Sequence, residues 1–210
     1  IEDPGEEGLN KYWRSSGRNR GKVGLWKGWY ENGNQRYEGK FGTSDRGEVQ
    51  KKGLWKGWYE NGNPRYEGKF WDGEKTGKWV NGHENGQVES ISNWGVGAEK
   101  GFQRGDFISW YKNGQQQSVG KYDGEIFWLG NHPEGGGRHG IWRTWHENGK
   151  KKEKGEFYNG EMIGVWTTWH ENGQMESQGR FQDGNLHGPW VSWYENGKKS
   201  SEGNYKDGKE

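Results

Sequence analysis

The segment GLWKGWYENGN occurs twice without change, at residues 24–34 and 53–63. Aligning the chain on the glycine that opens this segment reveals seven related units, with 24 residues as the commonest interval. A fixed period of this length is typical of repeat architectures, in which each unit buries its apolar face against its neighbours. The units begin at Gly24, Gly53, Gly77, Gly105, Gly140, Gly164 and Gly188.

The units occupy almost the entire 210-residue chain. A degenerate copy precedes them over residues 1–23, where Gly8, Trp13 and Gly17 match positions of the repeat. The seven better copies cover residues 24–210. Insertions lengthen the array near residues 42–52, 95–104 and 125–139. Because this organisation leaves no space for a separate catalytic domain, we expect the protein not to be an enzyme.

Aromatic side chains supply most of the apolar material. Hydrophobic residues make up only 26% of the chain, yet it contains 16 Trp, 10 Tyr and 7 Phe. One buried Trp or Tyr ring removes about 150–250 Å² from water, so rings can form the core. In the third unit, Gly82 takes the place of one tryptophan. The columns at the second and fifth positions after the opening glycine contain Trp26, Trp29, Trp55, Trp58, Trp79, Trp110, Trp142, Trp145, Trp166, Trp169, Trp190 and Trp193.

An Asn-Gly pair follows the tryptophans in every unit. Asn-Gly between two apolar segments predicts a hairpin with a type I′ turn, which requires positive φ at both residues. A second turn signal, usually Asp-Gly, follows about eleven residues later, so each unit should contain two strands. A helix is excluded because each glycine would cost it about 1 kcal/mol relative to alanine. The predicted turn residues are Asn32, Gly33, Asn61, Gly62, Asn85, Gly86, Asn113, Gly114, Asn148, Gly149, Asn172, Gly173, Asn196 and Gly197.

Strand periodicity assigns the rings to two faces. Successive side chains of a strand point to opposite sides. The second-position Trp and the sixth-position Tyr or His therefore share one face, and the fifth-position Trp lies on the other. The four residues after Asn-Gly vary between units while the rings do not. This contrast favours a structural core of rings and a free outer surface.

Composition excludes several classes of protein. The chain has no Cys, so disulfides and thiolate chemistry are absent, and it has no apolar run of about 18 residues that could form a membrane-spanning helix. A net charge of +1, with both signs mixed throughout, argues against nucleic-acid partners. The sequence begins at Ile1 and not at Met, so the chain is a fragment or a processed mature form, and the second possibility would fit a secreted or cell-surface protein.

The polar residues do not form a recognisable catalytic or metal-binding motif. Glutamates beside the Asn-Gly turns lack the clustered oxygen ligands that Ca²⁺ needs. His132 and His139 lie seven residues apart in an insertion, without the partners or spacing of a zinc site. His146 and His170 occupy the tyrosine column, where we interpret them as ring substitutes. We predict no catalytic residue, no metal and no cofactor.

The repeat unit, written GxWxxWYENGxxxxEGxFxDGxxxG, resembles the variant form of the MORN repeat. Such repeats occur in tandem in many bacterial proteins, some of them antitoxin-like. The similarity spans roughly residues 8–210. It implies an all-β fold of tandem antiparallel hairpins that form an elongated, twisted sheet or an open solenoid. It also implies a scaffold or interaction role without intrinsic catalysis.

We expect the scaffold to act through protein–protein contacts, including contacts with itself. An open meander of strands leaves an unpaired edge at each end, and such edges can pair with another chain. Head-to-tail addition that does not close produces a filament. The predicted contact joins the edge at residues 200–205, from Ser200 to Tyr205, to the strand at residues 9–13, from Leu9 to Trp13, of the next copy.

A surface protein that binds glycans or the cell wall is the alternative. Exposed Trp and Tyr rings can stack on sugar rings, and Trp71, Trp94 and Trp128 lie outside the two main tryptophan columns. A core role for most rings is favoured over this alternative, because the chain has little other apolar material.

Overall fold

A computed structural model describes residues 23–97, 101–123, 127–129, 132–134 and 137–209. Fourteen strands form one antiparallel sheet in which neighbours in space follow one another in sequence, except that β8 is followed by β11. The strands are β1 (Gly24–Trp29), β2 (Gln35–Thr43), β3 (Val49–Trp58), β4 (Pro64–Trp71), β5 (Glu74–Gly82), β6 (Val88–Trp94), β7 (Gly105–Trp110), β8 (Gln116–Tyr122), β11 (Arg138–Trp145), β12 (Lys151–Tyr158), β13 (Glu161–Trp169), β14 (Met175–Gln182), β15 (Asn185–Trp193) and β16 (Lys199–Tyr205).

The predicted all-β fold of tandem hairpins is confirmed, and the sheet is open. Strands β1 and β16 occupy its two ends among the described residues. A separate hairpin of β9 (Phe127–Leu129) and β10 (His132–Glu134) falls within the predicted insertion at 125–139, and β8 pairs directly with β11 across it. Residues 1–22 of the degenerate unit, with Leu9 and Trp13, lie outside the described residues.

The prediction of type I′ turns at Asn-Gly is wrong. Asn32 does not have positive φ, whereas Gly33 has φ of 88°. The Gly33 N–H donates to the Tyr30 carbonyl (3.0 Å), and the Tyr30 N–H donates to the Asn34 carbonyl (2.8 Å). The loop is therefore wider than two residues. The Asn32 Oδ1 accepts the N–H of Asn34 (2.9 Å), so the carboxamide stabilises this wider turn.

In four of the units, the second turn is the one with positive φ at both residues. Asp72 and Gly73 have φ of 48° and 79°, as a type I′ turn requires. The same holds for the equivalent residues Asn159, Gly160, Asp183, Gly184, Asp207 and Gly208.

The core is built from second-position tryptophans that lie over glycines of the preceding strand. Trp55 pairs with Gly39 across β2 and β3, and a Cβ added at Gly39 would lie 2.1 Å from the indole ring. Trp55 is only 2% exposed, and its Nε1 donates to the Lys40 carbonyl (3.2 Å). The same contact and indole hydrogen bond recur for Trp79 over Gly68, Trp142 over Gly120 and Trp166 over Gly155.

A backbone irregularity accompanies each of these contacts. The pairing of β2 with β3 passes from Gly39 opposite Trp55 to Lys40 opposite Lys52. Gly53 and Leu54 of β3 therefore have no partner residue on β2, and Gly53 has φ of 67°. Bulges of this kind bend a strand and redirect its side chains. The opening glycine of the repeat is therefore required by backbone conformation.

Neighbouring rings join the tryptophans of this face into runs of contacting rings, from Trp26 to Trp79 and from Phe107 to Phe181. The Phe41 ring meets the Trp55 ring edge-on at 4.9 Å between centroids. The Phe70 ring also meets the Trp55 ring edge-on, at 6.2 Å between centroids. The Lys51 ammonium lies 4.9 Å above the Trp55 ring centroid. Such edge-to-face and cation–π contacts each add about 0.5–1.5 kcal/mol to the gain from burial. Within the described residues, a single sheet thus obtains a core without a second layer.

Replacing Gly39 with alanine should lower the free energy of unfolding by about 1–3 kcal/mol, because the new methyl group overlaps the Trp55 ring. Urea denaturation measures the change. Gly42→Ala is the matched control in the same strand, since its Cβ would meet only the Lys52 side chain at 2.8 Å, which can move away. Equal losses in the two variants would show that the ring contact is not what excludes a side chain at Gly39.

Candidate interaction surfaces

In the first six units, a ring with a polar tip at the sixth position contacts the next unit. The Tyr30 Oη donates a hydrogen bond to the Trp58 carbonyl over 2.8 Å. Because a carbonyl only accepts, each histidine of this column must donate through a protonated Nε2. The remaining pairs, at 2.7–2.9 Å, are Tyr59 with Gly82, His83 with Trp110, Tyr111 with Trp145, His146 with Trp169 and His170 with Trp193.

The side-chain amide of the turn asparagine makes a second link between units. While the Asn32 Oδ1 accepts within its own turn, its Nδ2 donates to the Glu60 carbonyl at 2.8 Å. We call these two series of hydrogen bonds, from the sixth position and from the turn asparagine, the inter-unit ladder. The other asparagine links, at 2.6–2.9 Å, are Asn61 to Glu84, Asn85 to Lys112, Asn113 to Glu147, Asn148 to Glu171 and Asn172 to Glu195.

From the sequence, the asparagines were predicted to form turns and the histidines to substitute for tyrosine rings. The hydrogen bonds that both make to the next unit were missed. A signal was present in the sixth-position column, which alternates only between Tyr and His. These two side chains share a hydrogen-bond donor at the tip of a ring. The acceptors are backbone carbonyls, which a sequence does not reveal.

Burial raises the pKa of Tyr59 above its ordinary value, because removal from water disfavours the phenolate; Glu89 adds a smaller repulsion. The neutral phenol is the form that donates to the Gly82 carbonyl. A raised pKa in the folded state means that this contribution to stability is complete below the unfolded value of about 10. It is lost as pH rises through the folded-state pKa.

Two surface carboxylates have lowered pKa values. Hydrogen bonds from Gln35 and then Lys27 lower the pKa of Glu38. A hydrogen bond from Lys121, whose Nζ lies 2.5 Å from the carboxylate, lowers the pKa of Asp123. Both groups are paired with cations on the surface of the sheet, and neither has the raised pKa that a general acid at neutral pH requires.

The inter-unit ladder ends at the seventh unit. Tyr194 is 60% exposed, and its hydroxyl makes no hydrogen bond to any residue that the structure describes. The Asn196 Oδ1 still accepts the Lys198 N–H at 3.0 Å, but its Nδ2 has no acceptor within the described ranges. Two donors of the ladder are therefore exposed beside β16.

Strand β16 contains the two predicted C-terminal assembly residues. The exposed Ser200 has its hydroxyl 2.6 Å from that of Ser192. Tyr205 packs edge-on against Trp190 at 6.2 Å. Within the described part of the chain, β16 pairs with β15 alone. Its other edge lies next to the two exposed ladder donors, and this combination is the candidate site of the molecule.

The fifth-position tryptophans lie on the face opposite the core. Trp29 is 61% exposed, and the remaining members of this column are half-buried. Ion pairs flank them, with 3.3 Å between Lys27 and Glu38. Gly82, which interrupts the column, closely approaches the backbone of β4, because a Cβ there would lie 2.3 Å from the Pro64 carbonyl oxygen. No side chain fits at that position without a backbone shift.

The rings named for glycan binding differ in exposure. Trp71 is 62% exposed at the end of β4. Trp94 is half-buried, and the Lys75 ammonium lies 4.9 Å from its ring centroid. The side chain of Trp128 lies outside the described residues. The exposure of these rings does not test glycan binding, which stays a prediction.

Within the residues that the structure describes, no three His, Asp or Glu side chains form a cluster that could hold a metal ion. The side chain of His132 is not among them, and the His139 ring lies 5.3 Å from that of Tyr158. The carboxylates beside the Asn-Gly turns are exposed. A search of the same residues for a helix long and apolar enough to cross a membrane finds none.

Comparison with protein families gives a match to the MORN repeat variant over residues 22–41, 51–72, 138–159, 162–183 and 186–207, which together exceed half of the chain. No curated protein matches. Among solved structures, one match is a protein of unknown function from Bacteroides fragilis NCTC 9343. It is 10% identical, with 90% of this chain and 96% of that chain covered, and the TM-score is 0.15. A similarity at that TM-score adds nothing to the assignment.

Replacing Asn148 with aspartate should lower the free energy of unfolding by about 0.5–1.5 kcal/mol at neutral pH, because it removes the donor to Glu171 and places a carboxylate beside that carbonyl. The acceptor for the Lys150 N–H remains. Asn196→Asp makes the same chemical change where Nδ2 has no described acceptor, so its stability should stay within about 0.5 kcal/mol of the parent. Thermal denaturation compares the two, and equal effects would contradict the ladder.

Proposed function

The chain belongs to the MORN repeat variant family, and on that premise we propose a non-catalytic scaffold that binds protein partners and assembles head-to-tail with copies of itself. Proteins of this family are generally non-enzymatic repeat scaffolds, which supports the absence of a catalytic step. The observation that carries the proposal is the pair of exposed donors, Tyr194 and Asn196, beside the edge of β16.

The internal units indicate what these donors would bind. Six times in the sheet, the same two side chains donate to the backbone carbonyls at the fifth and seventh positions of the following unit. Another unit of the same kind is therefore a complementary ligand for the β16 edge. It would add backbone hydrogen bonds by strand pairing and two side-chain hydrogen bonds by extending the ladder.

A second copy of the chain can supply such a unit. Trp13 occupies the fifth position of the degenerate copy, so its carbonyl is the predicted acceptor for Tyr194 in the next molecule. In this arrangement the strand predicted from the sequence at residues 9–13 pairs with β16. Because the contact joins two different surfaces, repeating it produces an open filament.

Sedimentation velocity and negative-stain electron microscopy over a concentration series test the assembly. We expect end-to-end chains whose length grows with concentration. The double variant Tyr194→Phe/Asn196→Asp removes the two exposed donors, each worth about 0.5–1.5 kcal/mol. The association constant should therefore fall roughly ten- to a hundredfold, while the thermal stability of the monomer stays unchanged.

Tyr111→Phe is the matched internal control. It removes the equivalent hydroxyl from within the sheet, where it donates to Trp145, so stability should fall while assembly is retained at temperatures below unfolding. Protein that remains strictly monomeric at high concentration contradicts self-assembly. Assembly that is unchanged in the double variant would place the contact elsewhere on the surface.

A further inference from the structure

A row of polar residues crosses the sheet on the same face as the tryptophan core. Each of ten consecutive strands of the large sheet contributes one residue, and neighbours in the row are direct cross-strand partners. With strands about 4.8 Å apart, the row is roughly 40 Å long. We call it the polar row; it consists of Asn81, Ser90, Ser109, Ser118, Thr144, Glu153, Thr168, Ser177, Ser192 and Ser201.

The first two units differ at the equivalent positions. There a Gly and a Tyr form the pair, as in Gly28 with Tyr37, and the ring covers the glycine so closely that an added Cβ would lie 2.3 Å from it. The Tyr37 ring also stacks on Trp55 at 6.1 Å between centroids. From Asn81 onward short polar side chains replace this ring. No side chain of the polar row itself therefore places a ring in that space.

A groove of about 400 Å³ lies over the middle of the polar row, between β6 and β12. Its floor includes Ser109, Ser118 and Thr144. Half-buried aromatic rings of Phe107 and Tyr122 line it as well. The volume falls within the range of about 300–1,000 Å³ that is typical of small-ligand sites.

One hydroxyl in the groove has no partner. Eight of the ten residues of the polar row hydrogen-bond in pairs across neighbouring strands, as do Ser109 with Ser118 at 2.7 Å and Thr168 with Ser177 at 2.8 Å. Thr144 is paired across the strands with Glu153, and its buried Oγ1 makes no hydrogen bond to any described residue. A ligand in the groove reaches this buried atom only after a small shift of the neighbouring side chains. Because a buried hydroxyl without a partner is costly to a fold, the new hydrogen bond would offset that shift.

From this groove we infer a binding site for a neutral oligosaccharide. Serine and threonine hydroxyls both donate and accept, which suits the hydroxyls of a sugar. Aromatic rings offer apolar faces to its C–H surface. The charged residues that line the groove are of both signs, with Glu89 and Glu153 against Arg138 and Lys152, so they do not select a ligand of net charge.

An extended peptide fits the site less well. The strands β7, β8, β11 and β12 are paired on both sides, so their backbones are not available for the addition of a peptide strand. A bound amphipathic helix requires an apolar groove, whereas this floor carries hydroxyls. The inference goes beyond the proposed assembly and is independent of it, because the groove lies on a face of the sheet and the assembly contact at its edge.

An array of neutral α- and β-linked oligosaccharides, followed by isothermal titration with the best binder, tests the site. The decisive variant is Thr144→Val, which keeps the shape of the side chain and removes the unpaired hydroxyl. We expect the dissociation constant to rise about tenfold, the effect of one lost hydrogen bond, while the melting temperature stays the same or increases.

Thr168→Val is the matched control, because the hydroxyl removed there is paired with Ser177 and does not line the groove. Its melting temperature should fall and its affinity should stay unchanged. The inference is overturned if no neutral oligosaccharide binds at millimolar concentration, or if Thr144→Val binds as tightly as the parent. Binding of a Ser/Asn-rich peptide in place of every oligosaccharide would also overturn it.

Discussion

The contact between a tryptophan ring and a glycine of the preceding strand is the interaction on which this sheet depends. An open sheet without a second layer has nothing to cover its apolar face except its own side chains. Trp55 solves this by lying flat over Gly39, where the absence of a Cβ lets the indole reach the backbone and donate to the Lys40 carbonyl. Edge-on rings then close the sides, so burial is achieved within one layer.

This geometry makes the molecule directional. Each tryptophan leans toward the preceding strand, and each ladder donor reaches toward the following unit, so the two ends of the sheet cannot be equivalent. At the β16 end the donors Tyr194 and Asn196 are exposed, while the matching acceptors are backbone carbonyls. This directionality is the physical basis of the proposed head-to-tail association.

Predictions from the sequence were correct where a residue type has one main structural role. The glycine and tryptophan columns predicted strands, an all-β fold and a ring core. The type I′ turn at Asn-Gly failed, because the asparagine side chain bonds both its own turn and the neighbouring unit, as Asn32 does with Asn34 and Glu60. The polar row was also missed. Its columns are visible in the aligned units, but their alignment into one row depends on the register across nine strand pairs.

By itself, the sequence determined the period, the two hairpins per unit and the aromatic material of the core, because these follow from local propensity and composition. Only the tertiary structure decided which tryptophan column is buried, since the opening glycine bulge aims Trp55 over Gly39 while Trp29 faces outward. It also decided that Thr144 Oγ1 is unpaired and that Tyr194 is exposed. Those properties arise from contacts between units, which no single unit encodes.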